Sequence, residues 1–308
     1  MFYKRISIVL MLMLLLALTG CSQSPPKQIR LSDTDPGVVT VNQKKSEITP
    51  LRVAVSSILS PKETLTVYQP LLDYLEKQLN KPVVLLQRRT YKEVNDILEN
   101  GTADVAFVCS GGYVAGSQTF GMELLAQPEV KGSQVYQSYI ITTADNPAKS
   151  IVDLGGKTFA FTDPMSFSGR IAPVHLLTAK GINSDTFFSR TFFTYSHDNA
   201  IKAVADGIAD AAAIDSMIFD NAIAKKPELA KRLKVIERSF SVGNPPVVVS
   251  SHTDLQLRGH LKQILFSMDQ TEAGKIALQS LTYDRFVQPN ESAYAELKTV
   301  WLTVRGRL

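Results

Sequence analysis

The chain has 308 residues, 44% hydrophobic and 20% charged, with 33 Lys and Arg against 29 Asp and Glu. A formal charge of +4 over this length is too small for a nucleic-acid-binding surface, and two cysteines, Cys21 and Cys109, are too few for a disulfide framework. The length allows one large or two modest domains.

Residues 1–20 read as a secretory signal peptide. Lys4 and Arg5 precede an apolar run from Ile6 to Leu18, too short for a comfortable membrane span. Leu18-Thr-Gly-Cys21 resembles a bacterial lipobox. That resemblance implies lipidation of Cys21 and a mature protein anchored to a bacterial membrane outside the cytoplasm. Cleavage would remove Lys4 and Arg5 and leave a charge of about +2, near neutral, which argues against a nucleic-acid partner. Acylation of Cys21 would leave Cys109 without an intrachain disulfide partner. Residues 21–50 carry Pro25-Pro26 and Lys44-Lys45 with no hydrophobic period, so they read as the lipidated cysteine followed by a flexible tether. A coil of that length reaches about 30 Å.

From Leu51 onward, strand and helix patterns alternate. Leu51–Val55 is a predicted strand. Leu65, Leu71, Leu72, Leu75 and Leu79 then give a helical period over 64–79, closed by Asn80. Val83–Leu86 is strand-like, Tyr91–Glu99 helical, and Ala103–Val108 a buried strand that runs into Cys109-Ser-Gly-Gly112. A further strand is expected over 136–142. The cycle restarts with a strand at Thr158–Thr162, a helix near 175–181, a strand at Thr191–Thr194, a short helix from Ala200 to Ala205 and a strand at Ala209–Ile214. Asn100-Gly-Thr-Ala-Asp-Val-Ala and Asp206-Gly-Ile-Ala-Asp-Ala-Ala are alike, which suggests two similarly built halves or a chance repeat of helix-stop and strand chemistry. The alternation predicts a parallel-rich α/β fold, and the tail from Leu255 has helical spacing.

In such a fold, ligands lie at the carboxyl ends of strands, in the crevice between lobes. Those ends offer Ser56 and Ser57, Ser110, Gly111 and Gly112, then Ser166, Ser168 and Gly169, Ser196 and His197, and finally Asp215 and Ser216. The set is rich in hydroxyls and N–H groups, with Arg170 as the one nearby cation. Neutral donors in a dry cleft suffice for a small oxyanion, each charge-assisted bond contributing about 1.5–3 kcal/mol.

Asp163-Pro-Met-Ser-Phe-Ser-Gly169 resembles a segment of the phosphonate, phosphite and phosphate substrate-binding proteins of ABC transporters. Ser196-His-Asp-Asn-Ala200 with Ala209-Asp-Ala-Ala-Ala-Ile-Asp215 is similar to that family's second signature, and Gly243-Asn-Pro-Pro-Val247 to its return segment. The similarity runs from about Leu51 to Met268. It implies a two-lobed periplasmic-binding-protein type II fold with a mixed sheet flanked by helices in each lobe. Lobe one would comprise 51–138 and 245–308, and lobe two 139–244, with hinges near Tyr139 and Gly243. The resemblance also implies a clamp. Ser166, Phe167, Ser168 and Gly169 would present hydroxyls and backbone N–H groups to the anion, Tyr136 its phenol and His197 a ring N–H. Asp215 would accept a proton from the ligand or pair with a ligand amine, and Ser57 and Ser110 would close the site from lobe one. Arg170 and Phe167 depart from the family pattern.

Each group also has a plain structural reading. On that reading Ser166 or Ser168 is a helix N-cap, His197 a helix-start residue, Tyr136 packed aromatic surface, Asp215 a cap and Cys109 a small buried apolar residue. Pro173 requires either a kink or a later helix start if Ser166 is the cap. His175, His252 and His260 show no ligand spacing, so no metal and no cofactor is expected. No Gly-x-Ser-x-Gly elbow surrounds either serine, which speaks against a hydrolase. A solute-binding lipoprotein, monomeric and partnered with ABC permease subunits, is the leading expectation. A sensing lipoprotein with the same clamp is the alternative.

Overall fold

The computed structural model describes residues 49–307; the expected signal peptide, Cys21 and most of the expected tether lie outside them. Four strands come first: β1 (Leu51–Val55), β2 (Val83–Gln87), β3 (Val105–Phe107) and β4 (Glu123–Glu129). A short β5 (Val135–Tyr136) precedes β6 (Ser138–Thr143), β7 (Thr158–Phe161), β8 (Arg190–Phe193), β9 (Ala211–Asp215) and β10 (Leu233–Arg238). A second short strand, β11 (Val242–Gly243), leads to β12 (Val247–Val249) and β13 (Arg285–Val287).

These strands build two mixed sheets on one plan. The first has the order β13-β4-β12-β3-β1-β2 and the second β10-β6-β9-β7-β8. In the first, β1 runs parallel to both β2 and β3, and β3 meets β12 antiparallel. In the second, β7 runs parallel to both β8 and β9, and β9 meets β6 antiparallel. The two similar sequence stretches therefore lead into β3 and β9, the equivalent strands of the two sheets. Both are fully buried, which explains their run of small apolar residues.

The expected strand over 136–142 is two strands. β5 pairs with β11, Val242 opposite Tyr136, while β6 belongs to the second sheet. The break falls at Gln137, whose N–H donates to Ser216 Oγ and whose Nε2 donates to the Ser239 carbonyl. Side-chain partners thus replace the ladder there, and β5–β11 joins the two sheets as a narrow ribbon.

Local chemistry sets the helix ends. The helix Pro61–Leu79 begins with proline, buries Tyr68, Leu71, Leu72 and Leu75, and ends on Asn80 at φ 48°. Thr90 and Glu93 form a reciprocal capping box at the helix Tyr91–Glu99. Pro173 is accommodated by a wide turn. Phe167–Ile171 is a π-helical segment, and Pro173 falls in the first turn of the α-helix Ala172–Thr178 that continues it, where no intrahelical donor is needed. The helix Ser110–Thr119 has no sequence-level signal, because Gly111 and Gly112 sit in its first turn.

Candidate functional site

The carboxyl ends of strands from both sheets meet across a closed cleft. The His197 N–H donates to the Ile58 carbonyl at 2.9 Å. The Ser60 N–H donates to Asp198 Oδ1 at 2.9 Å, and the Tyr91 N–H to Asp163 Oδ2 at 3.1 Å. The helix start at Ser110–Gly111 packs against Met165–Phe167 so closely that a Cβ on Gly111 would lie 2.1 Å from the Met165 carbonyl oxygen. Phe167, Ile171, Tyr91, Val94, Tyr113 and Leu297 share one apolar cluster, which keeps water from the polar groups between them.

Ser166 is the N-cap of the turn, and its hydroxyl accepts the Gly169 N–H at 3.0 Å. The Gly169 N–H, expected to face an anion, is here donated to the cap. Gly169 is required for a different reason, since a Cβ there would lie 1.7 Å from Thr162 Oγ1. The Phe167 ring is fully buried, edge-on to Tyr136 and Phe240, so only its backbone faces other polar groups. Ser168 is fully buried, its carbonyl accepts from Ser138 Oγ at 2.5 Å, and its own hydroxyl has no partner.

From the opposite side, Ser57 donates to the Arg89 carbonyl at 2.8 Å, and Ser110 to the Gly243 carbonyl at 2.7 Å. Both hydroxyl protons are here donated to backbone carbonyls. Ser110 thus ties its helix to the β11 crossover. The neighbouring Ser56 is buried, its hydroxyl has no partner, and it lines a cavity of about 60 Å³ together with Asp215, Ile58, Tyr68 and Met217.

His197 and Asp215 are brought together. His197 Nδ1 accepts the Asp215 N–H at 3.1 Å. Burial pushes the imidazole down to about 3, so the ring is neutral and its single proton sits on Nε2, making that nitrogen a donor. Asp215 Oδ1 accepts the N–H groups of Met217 and Ile218 as the cap of the helix Ser216–Lys225, while burial raises its carboxyl to about 7. Asp163, at the end of β7, is raised to about 6 for the same reason. The Tyr136 hydroxyl lies 3.8 Å from Cys109 Sγ, and burial holds its proton on well above the ordinary phenol range.

Tyr91 was not singled out by its sequence position, which fits an apolar helix-start residue. It is fully buried, and its hydroxyl has no hydrogen-bond partner. The pairing of Thr90-Tyr91 with Asp163 across the cleft is a tertiary fact that spacing cannot reveal. Arg170 lies against the rings and the acid of its own lobe. Its guanidinium covers the Phe161 ring at 4.3 Å and approaches Asp185 at 3.9 Å.

Two like-built sheets joined by a two-strand ribbon, with buried donors between them, define a two-lobed solute-binding protein. The family model for the periplasmic substrate-binding protein of phosphonate ABC transporters matches residues 53–294, and the chain belongs to that family. That family is one of periplasmic substrate-binding components. Relatives of the chain include the phosphate-import protein of Mycolicibacterium smegmatis, 30% identical over 56% of this chain and 57% of that one. The chain thus spans little over half the length of that relative. The phosphonates-binding periplasmic protein of Escherichia coli is 25% identical over 77% of this chain and 71% of its own. The fold is that of a binding component of a phosphonate ABC transporter from Pseudomonas aeruginosa (TM-score 0.77, 20% identity, 83% of this chain and 87% of that one). A Prochlorococcus marinus structure in complex with methylphosphonate is similar (TM-score 0.74, 18% identity, 83% and 98%).

Proposed function

We propose that this chain captures a small phosphorus oxyanion, a phosphonate, phosphite or phosphate, between its lobes and presents it to ABC permease subunits. Lobe one is taken as 51–138 and 245–308, and lobe two as 139–244. The observation that carries this reading is a group of buried hydroxyls, on Ser56, Tyr91 and Ser168, that have no hydrogen-bond partner. Burying a donor without an acceptor costs about 1–3 kcal/mol, so three on the facing sides of one cleft call for an anion that supplies acceptors. His197 Nε2, the Tyr136 phenol and the Phe167 N–H complete the donor set, and Asp215 accepts from a protonated ligand oxygen or a ligand amine. Ser166 holds the turn in place. The names of the curated relatives, phosphate-import and phosphonates-binding proteins, support the same ligand class.

Binding needs no chemistry. The ligand joins donors from the two sides, and the ribbon of β5 and β11 is where the lobes turn. A lipid on Cys21 would hold the monomeric receptor at the membrane, with the tether as leash; radiolabelled palmitate incorporated into wild type and lost in Cys21→Ala would test the anchor.

The test of the binding reading is calorimetry on the chain from Ser22, stripped of ligand by unfolding and refolding. Methylphosphonate, 2-aminoethylphosphonate, phosphite, phosphate and sulfate are titrated in turn. Micromolar or tighter binding of a phosphorus species, lost in Ser168→Ala, is expected. No heat from any phosphorus species would refute the reading.

A further inference from the structure

We propose that the oxyanion cleft continues into a second cavity beside the β5–β11 ribbon, and that this cavity takes the organic arm of a phosphonate ending in a cation, with Asp220 as its partner. This rests on the phosphorus-oxyanion reading above. The second cavity measures about 470 Å³, within the range of about 300–1,000 Å³ in which proteins hold small ligands. Its walls come from both sheets. Lys131, in the turn after β4, stands on the side of the first, while Tyr139 of β6 and the helix Ser216–Lys225 stand on the side of the second. Tyr136 and Gln137 complete it at the ribbon.

Shared walls join this cavity to the ligand site. Met217, Asn221 and Thr282 line it and also line the smaller cavity at Ser56 and Asp215. Tyr136, whose phenol belongs to the proposed donor set, lines the larger one. The wall between the two can yield, because the Met217 side chain is unbranched and flexible. The helix then sets the direction. Ser216, Asp220 and Ala224 recur along it at four-residue spacing and all line the larger cavity, while its cap Asp215 lines the smaller. An arm that leaves the ligand near Asp215 thus runs along one helix face to Asp220.

Asp220 is the only carboxylate in the lining. It is partly buried and makes no hydrogen bond or ion pair among the described residues. Burial raises its carboxyl above the ordinary aspartate value, and Lys131 and Arg238 only partly offset this. Lys131 is exposed, and the Arg238 guanidinium covers the Tyr139 ring at 4.9 Å. A ligand ammonium beside Asp220 would supply the close partner that neither gives. A rise of about 1.5 Å per residue places Asp220 about 7.5 Å along the helix from Asp215, and its side chain tilts back toward the N-terminus. An extended chain advances about 1.2 Å per bond, so an arm of about five carbons covers the distance. The ammonium of a two-carbon arm reaches only as far as Asp215.

The experiment is calorimetry with phosphate, methylphosphonate, 2-aminoethylphosphonate, n-pentylphosphonate and 5-aminopentylphosphonate on wild type and Asp220→Ala, each from Ser22 and stripped of ligand. Wild type is expected to bind the aminopentyl compound about tenfold tighter than the pentyl one, as a hydrogen bond to a charged group would give. Asp220→Ala should lose that difference yet hold methylphosphonate and 2-aminoethylphosphonate within about twofold of wild type, which also shows that the variant is folded. Equal affinity for the two five-carbon arms in wild type, or a preference that survives in Asp220→Ala, would overturn the assignment while leaving the receptor reading intact. So would a wild type that binds phosphate or methylphosphonate but neither five-carbon compound. No heat from any of the five would refute the receptor reading and this inference with it.

Discussion

Asp215 and His197 are buried side by side, and burial moves their titrations in ways that make opposite demands on the fold. Asp215 is raised to about 7, against about 3.9 for a free aspartate. Between those values the folded chain keeps a proton that the unfolded chain has lost, so this group's contribution lowers stability as pH rises from about 4 through 7. Asp215→Asn keeps a capping oxygen and removes the charge. The unliganded variant is expected to melt above wild type at pH 8 and level with it near pH 4; a difference that does not change with pH would contradict the burial argument. For His197 the sign reverses. Its folded value of about 3 lies below the free value of about 6.5, so its share of stability is lost as pH falls through that window. His197→Gln should therefore flatten the acid limb of the melting curve between those limits.

At the same scale, Ser56→Ala is expected to weaken ligand binding by about 1–3 kcal/mol, while Ser57→Ala, whose hydroxyl serves the Arg89 carbonyl, leaves it near wild type. Titration of the two variants separates them. The sequence marks both serines equally, because the end of a strand does not say which of two adjacent residues turns inward. Ser166 and Ser168 were legible as a pair from small hydroxyls at a helix start. Which one caps and which is left with a free hydroxyl depends on the π-helical turn that Pro173 accompanies.

Glycines decide how closely the elements approach. A side chain at Gly169 would run into Thr162 within one lobe, so Gly169→Ala is expected to lower stability by about 1–3 kcal/mol or more, read from urea unfolding. At Gly111 a side chain would meet Met165 and Phe167 across the cleft instead. Gly111→Ala should therefore fold with an unliganded melting temperature close to wild type yet lose ligand binding, because the clash arises only on closure. A variant that binds normally would show that the two segments are not held in contact in the bound state. Of these elements, the helices with clear apolar periods were legible, as were β1, β3, β7 and β9. The ribbon of β5 and β11 was not, since two-residue strands have no period and the break at Gln137 is fixed by tertiary hydrogen bonds to Ser216 and Ser239.

On the scale of the whole molecule, a repeated helix stop followed by a small-residue strand was enough to reveal two like halves. That repeat works because β3 and β9 are buried equivalently, and burial on both faces imposes similar composition. The cleft was legible as a place, from the strand ends, but the Tyr91 N–H meets Asp163 across it only through tertiary packing. A ligand held between lobes that turn on a narrow ribbon has a consequence for the size of the molecule in solution. Small-angle X-ray scattering on the chain from Ser22, with and without a saturating phosphorus oxyanion, measures it most directly. The radius of gyration should fall when the ion is added to ligand-stripped protein, and should stay unchanged in Gly111→Ala. An ion that binds wild type with measurable heat yet leaves its scattering curve unaltered would contradict capture between the lobes.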